Sequence, residues 1–264
     1  MDNRISTKKT SLPLSGKDIQ TSEKNSCRTQ TGAPVLLILH QKSSSAGAVG
    51  RWLQNQGYEL QIKHPNQGEE LPENLEDYSG LIVFGGPMSA NDDCPKIKRE
   101  INWLNQALDQ SLPYLGICLG AQMMIRQLGG TISKHDKAMV EIGYRRVEAT
   151  PSGTKLISHW PERFFQWHGE GFDLPAGTTA LAHGQRFKNQ AYCYGKLVFG
   201  VQFHPEVTSQ IIERWTINTN HMLNKKGAHL KERLLADHQK YKNAQRLWLD
   251  HFMHHWTSLI ENRK

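Results

Sequence analysis

The stretch Gly116-Ile117-Cys118-Leu119-Gly120-Ala121-Gln122 sets a cysteine between an apolar run, Leu112 to Leu115, and a helical pattern, Ala121 to Leu128. A nucleophile carried on a sharp strand-to-helix turn is presented above the edge of a sheet. Gly116 and Gly120 suit such a turn, because glycine lets backbones approach where a side chain would clash. Unpaired N–H groups and the dipole at the start of the following helix favour a thiolate over a thiol. A buried structural cysteine needs none of these features, so the pattern points to nucleophilic chemistry at Cys118.

A thiolate nucleophile needs a proton partner and a place for developing negative charge. Val198 to Val207 reads as a buried strand that ends in a polar cluster, with Pro205 ending the pairing. Residues two apart on a strand share a face, which makes His204 and Glu206 neighbours. A carboxylate beside an imidazole fixes its tautomer and stabilises its cation. Gly80 to Phe84 is a second buried strand, and it runs into Gly85-Gly86-Pro87. A Gly-Gly turn at a strand's C-terminal end can aim a backbone N–H into the crevice where open α/β sheets bind ligands. With the N–H of Leu119, the residue after the cysteine, Gly86 would complete an oxyanion hole.

Phe84-Gly85-Gly86-Pro87, Gly116 to Gln122 and Phe203-His204-Pro205-Glu206-Val207 resemble the three signatures of class I glutamine amidotransferase domains, in the family's order. Phe165 to Pro175, with His168 inside it, and Asn189-Gln190-Ala191 are similar to the stand-alone, GMP-synthase-like branch. The resemblance covers roughly Pro34 to Trp256. It implies attack of Cys118 on the side-chain amide carbon of glutamine, proton relay by His204 oriented by Glu206, and a γ-glutamyl thioester hydrolysed by water. It also implies oxyanion donors at Gly86 and Leu119, and substrate contacts from Gln122, His168 and Asn189 to Ala191. No cofactor or metal is expected. In one departure, Glu170-Gly171 stands where many relatives have Asp-Thr.

These residues need a scaffold that delivers strand ends to one crevice. Val35 to His40, Tyr58 to His64, Leu81 to Phe84 and Leu112 to Ile117 read as strands, with helices over Gly47 to Gly57 and Ile97 to Leu108. The βαβ alternation predicts an α/β fold, a mostly parallel open sheet flanked by helices, as the flavodoxin-like family fold implies. From Gly129 to Val201 the pattern changes to short strands, with Ile142 to Val147 and Gln190 to Val201 the clearest. Ile211 to Leu223 reads as a helix. Lys226 to Ile260 is expected as a C-terminal helical extension, with Leu230, Leu234, Tyr241, Trp248, Phe252, Trp256 and Leu259 on the face that docks onto the domain. Residues 1–33 are polar and read as a disordered tail; 34–264 form the domain.

The net charge is +7, but it is spread unevenly: +3 over residues 1–33, +5 over 224–264 and −1 over 34–223. A basic nucleic-acid groove in the core is therefore not expected. Four cysteines without metal spacing and the absence of an apolar leader point to free thiols in the cytoplasm. No apolar stretch is long enough for a membrane span. His251 and His255 share a helix face, yet no third ligand stands at ligand spacing. Three functions fit this pattern. One is glutamine hydrolysis, with ammonia released or passed to a separate synthetase subunit. Another is γ-glutamyl peptidase or hydrolase action on γ-glutamyl small molecules. The last is a non-catalytic binding or sensor module.

Overall fold

The protein is described by a computed structural model that covers Met1 and residues 32–263, so the tail expected over 1–33 lies almost wholly outside the described residues. Strands β1 (Val35–Ile38), β2 (Leu60–Lys63), β3 (Gly80–Val83), β4 (Tyr114–Ile117) and β11 (Val198–Val201) run parallel in the order β2-β1-β3-β4-β11. The sheet continues antiparallel through β10 (Asn189–Tyr194), β9 (Thr178–Gly184), β6 (Glu141–Ala149) and β7 (Arg163–His168). Strands β5 (Thr131–Lys134) and β8 (Glu170–Asp173) make a separate antiparallel ribbon. The parallel sheet flanked by helices is thus present, prolonged by an antiparallel wing.

Period-two alternation splits the core into two layers. Val35, Leu37, Ile82 and Ile117 face α1 (Gly47–Asn55) and the C-terminal part of α7 (Lys231–Glu261). Leu36, Ile38, Leu81 and Tyr114 face the opposite layer, made of α2 (Pro95–Trp103), α3 (Asn105–Asp109) and α4 (Leu119–Gln127). A third cluster packs α6 (Ser209–Asn218) and the start of α7 against β6 and β7. The short α5 (Pro151–Leu156), capped by Thr150, lies beside β9. No helix among the described residues is long and apolar enough to cross a membrane.

Several boundaries differ from the sequence reading, for local reasons. Gln190 to Val201 is a hairpin of two strands, turned at Gly195 in a left-handed conformation (φ 57°). Ile97 to Leu108 is broken at the buried Leu104 into α2 and α3. The helix from Ile211 stops at Asn218, because Thr219 leaves helical geometry (φ −128°, ψ 39°) and its hydroxyl donates to the Trp215 carbonyl; a 3-10 turn, Asn220–Asn224, follows. Helix α7 starts at Lys231 rather than Lys226. Gly227 (φ 104°) and the bridge of Ala228 to Ile142 hold this segment alongside β6 and leave Leu230 69% exposed. The rest of α7 docks as expected: Trp248, Phe252 and Trp256 are buried, and Trp256 presses on Gly80, where an added Cβ would stand 2.7 Å from its ring. Trp248→Ala is expected to destabilise the protein by about 3–5 kcal/mol in urea denaturation, the cost of truncating a large core aromatic; an unchanged midpoint would mean that α7 does not help close the core.

Candidate active site

The C-terminal ends of β3, β4 and β11 lie side by side, so the loops that follow them meet in one crevice. Cys118 stands between β4 and α4 at φ 50°, ψ −104°, a conformation that costs a non-glycine residue about 1–3 kcal/mol. Close packing holds it there. A Cβ on Gly120 would lie 2.1 Å from the Val83 carbonyl oxygen, and one on Gly116 2.5 Å from the Ala121 nitrogen. The backbone N–H of Cys118 donates to Val201 O at 2.8 Å, and that of Gln122 donates to Cys118 O at 3.0 Å. Leu119 opens α4, where backbone N–H groups have no partner one turn earlier in the helix.

Strand β11 ends at Val201, so His204 and Glu206 do not meet by strand alternation as the sequence reading had it. They meet through a turn: His204 Nδ1 lies 2.7 Å from Glu206 Oε1, both residues being buried. The point where a Cβ on Gly85 would stand is 2.9 Å from His204 Cε1 and 3.5 Å from Cys118 Cβ, so imidazole and thiol converge over Gly85. Trp215 packs edge-on against the imidazole at 4.8 Å. His204 Nε2 is buried without a hydrogen-bond partner among the described residues. Burial disfavours the imidazolium, but the negative charges that Glu206 and Cys118 can carry, and the hydrogen bond to Glu206, outweigh it and push the His204 pKa up to about 10. His204 therefore keeps its proton at neutral pH. The stability that this proton lends the fold is lost as the pH rises through about 10.

Three supports of this group carry no local sequence signature. Gln245 of α7 is buried; its Oε1 accepts from the Phe165 N–H at 2.9 Å and its Nε2 donates to His204 O at 3.1 Å. Gln202 donates to Cys118 Sγ at 3.5 Å and accepts from Gln122 Nε2 at 3.1 Å. His40, buried in the loop just after β1, lies against the Gly85-Gly86 turn. Side-chain amides of this kind are read as ordinary polar residues until the fold brings them together.

Cys118, Leu119, Gly86, Gln122 and His168 all line one cavity of about 610 Å³. Gln122 Nε2 also bonds Glu170 O at 3.0 Å. His168 is held by Glu170 O at 2.9 Å, Gln166 Oε1 at 3.1 Å and Glu141 Oε2 at 3.3 Å. Asn189, Gln190 and Ala191 do not line the cavity. Asn189 Nδ2 donates to Phe172 O at 3.0 Å, Gln190 bridges Gln166 and Glu141, and Ala191 is buried in the core. The Glu170-Gly171 departure has a packing reason at its second position. The Phe187 ring fills the space of a side chain there, 2.5 Å from where a Cβ would stand, while the Glu170 carboxylate accepts from Ser89 at 2.7 Å. Met222, from the 3-10 turn before α7, and Lys225, just after that turn, also line the cavity. Cys94, Cys118 and Cys193 are free thiols, and Cys27 lies outside the described residues.

A parallel sheet that presents a strained cysteine beside a buried His–Glu pair and a Gly-Gly turn defines an α/β protein with an elbow thiol. The class-I glutamine amidotransferase profile matches residues 38–220, and the chain belongs to that family. It is 32% identical over 188 residues to the glutamine amidotransferase-like protein YfeJ of Salmonella typhimurium, which covers 68% of this chain and 78% of that protein. It is 28% identical to the glutamine-hydrolysing GMP synthase of Gloeothece citriformis over 76% of this chain, and spans only 36% of that protein's length. A solved glutamine amidotransferase from Methylobacillus flagellatus superposes with a TM-score of 0.81 at 26% identity, over 87% of this chain and 96% of that one. One from Thermotoga maritima does so with a TM-score of 0.77 at 30% identity, over 87% and 98%.

Glu206 is among the groups that raise His204, against a burial penalty that lowers it. Glu206→Gln is therefore expected to move the titration of the His204 ring protons, followed by NMR, down from about 10. A titration that stays in place would show that another group holds the imidazolium.

Proposed function

We propose that this protein hydrolyses the side-chain amide of glutamine through a cysteine γ-glutamyl thioester, releasing ammonia and glutamate. The observation that carries the reading is the convergence of the strained Cys118 and the His204–Glu206 pair over Gly85, with Cys118, Gly86 and Leu119 lining one cavity. Cys118 Sγ attacks the amide carbon, and the carbonyl oxygen becomes an anion that takes hydrogen bonds from the Gly86 and Leu119 N–H groups. The C–N bond breaks as His204 gives its proton to the departing nitrogen, which leaves as ammonia. Water then attacks the thioester carbon and His204 takes its proton. The C–S bond breaks, returning the thiolate and glutamate. Glu206 keeps the imidazole oriented and stabilises its cation throughout.

Gln122, His168 and the Glu170 segment, which line the cavity, would hold the amino-acid end of the substrate. Gln190 acts from behind, through the amide chain with Gln166 and Glu141 that fixes His168, while Asn189 and Ala191 support the wall by packing and by the bond to Phe172 O. The chain spans about a third of the GMP synthases it matches, so a separate synthetase subunit receiving the ammonia fits the same reading. A second reading is favoured by the cavity. Sites of ~300–1,000 Å³ hold ligands much larger than one amino acid, and at about 610 Å³ this one has room for a γ-glutamyl conjugate with a larger leaving amine. The bond chemistry is the same; only the leaving group differs.

Glutamate release from L-glutamine and from γ-glutamyl dipeptides tests both readings. Cys118→Ser and His204→Ala are expected to lower kcat by at least ~10³-fold, as loss of a nucleophile or its base does, with an unchanged circular dichroism spectrum. Turnover by Cys118→Ser at the wild-type rate would overturn the mechanism. A larger kcat/KM on the dipeptides than on glutamine would favour the second reading.

A further inference from the structure

His40 is 1% exposed, and both of its ring nitrogens are engaged. Nδ1 lies 3.2 Å from Gly85 O, and Nε2 lies 2.9 Å from Oε1 of Glu100, itself 2% exposed. A carbonyl oxygen only accepts, so Nδ1 carries a hydrogen, and a second proton is shared between Nε2 and the Glu100 carboxylate. Asn66 ties down the backbone of the same residue, its Nδ2 being 3.4 Å from His40 O. The base of the side chain also packs on the next residue of the turn: a Cβ on Gly86 would stand 2.9 Å from His40 Cβ and 3.0 Å from Cγ.

The oxygen that His40 holds and the N–H of Gly86 belong to one peptide unit. A trans peptide is planar, with its C=O and N–H pointing in opposite directions. Fixing the oxygen on the His40 side therefore directs the Gly86 N–H to the other side. A peptide between two glycines meets little steric resistance to turning over, because neither residue has a Cβ. Turned over, it would place a carbonyl oxygen where the substrate anion forms. We propose that His40, anchored by Glu100, is a positioning residue that locks the Gly85–Gly86 peptide with its N–H toward the reacting centre. The assignment rests on the hydrolytic reading above, since it presumes that Gly86 serves the oxyanion. Burial lowers the His40 pKa, and the Glu100 bond and the Gly85 carbonyl raise it above the usual histidine value; the proton shared with the Glu100 carboxylate at 2.9 Å gives the bond to Gly85 O charge-assisted character. Such bonds are roughly twice as strong as neutral ones, and the polarisation passes along the peptide to its N–H.

His40→Leu and His40→Asn separate this role from simple packing. Asn can place an amide N–H near the position of Nδ1; Leu cannot. His40→Leu is expected to lower kcat for glutamine by ~10²-fold or more, the cost of losing one oxyanion donor, with KM within about threefold. His40→Asn is expected to recover at least ~10-fold of that loss, since a neutral donor keeps part of a charge-assisted bond. Alkylation of Cys118 by iodoacetamide, which forms no oxyanion, is expected to keep its wild-type rate in both variants. Equal losses in Leu and Asn variants, or a parallel fall in alkylation, would overturn the proposal in favour of a structural role. Should His40→Leu fail to fold, Glu100→Gln keeps the contact without its charge and is expected to lower kcat several-fold at constant KM, about the difference between a charged and a neutral bond; an unchanged kcat would overturn the proposal. If the wild-type protein releases no glutamate, the hydrolytic reading fails by itself. A crystal structure of His40→Leu then decides the inference: a turned or disordered Gly85–Gly86 peptide supports it and an unmoved one refutes it.

Discussion

The backbone of Cys118 sits in a region that side chains avoid, and the neighbouring structure forces it there. Gly116 and Gly120 pack so tightly on Ala121 and Val83 that a single methyl at either position would collide with backbone atoms. The strain of about 1–3 kcal/mol is held by the parallel sheet, through the hydrogen bond from the Cys118 N–H to Val201 O. Because that acceptor ends β11, the same bond ties the thiol to the strand that leads to His204. Turning at one residue thus places the sulfur, starts α4 beneath it and fixes its distance from the imidazole. Relaxing that turn would undo all three at once.

Around this turn the protein buries polar groups that are costly unless paired. The solution is a chain of amides and imidazoles: Gln122 to Gln202 to Cys118 in front, and Gln166, Gln190, Glu141 and His168 behind. Helix α7 closes the chain, since Gln245 binds both the Phe165 N–H and the His204 carbonyl. The C-terminal helix is therefore wired to the site as well as packed on the core. Two buried histidine–carboxylate pairs flank the thiol, His204–Glu206 on one side and His40–Glu100 beside the Gly-Gly turn. In each the carboxylate raises the pKa of its imidazole against the penalty of burial.

The legible part of this site is the part built by local geometry. The glycines flanking Cys118, the Gly85-Gly86 turn and the His204–Glu206 spacing are short-range requirements, and each left its mark within a few residues. The parallel strands were legible for the same reason, as buried apolar runs that alternate with amphipathic helices. The pairing of His204 with Glu206 was right in outcome and wrong in route, because the strand stops at Val201 and a turn brings them together. Gln202, Gln245, His40 and Glu100 were not legible. The contacts that tie them to the site reach partners 41 to 84 residues away, and only tertiary closure creates those contacts. The substrate-side residues were read from resemblance alone. Of these, Gln122 and His168 reach the cavity, while Asn189 to Ala191 stand behind it.

On the mechanism proposed above, glutamine leaves its γ-glutamyl group on Cys118. The most direct measurement is mass spectrometry of the protein acid-quenched during incubation with glutamine, with peptide mapping of the adduct. A γ-glutamyl group on the peptide that contains Cys118, absent from Cys118→Ser, is the result this account predicts. Steady release of glutamate with no adduct at Cys118 on any quench time, or with the adduct on another residue, would contradict it.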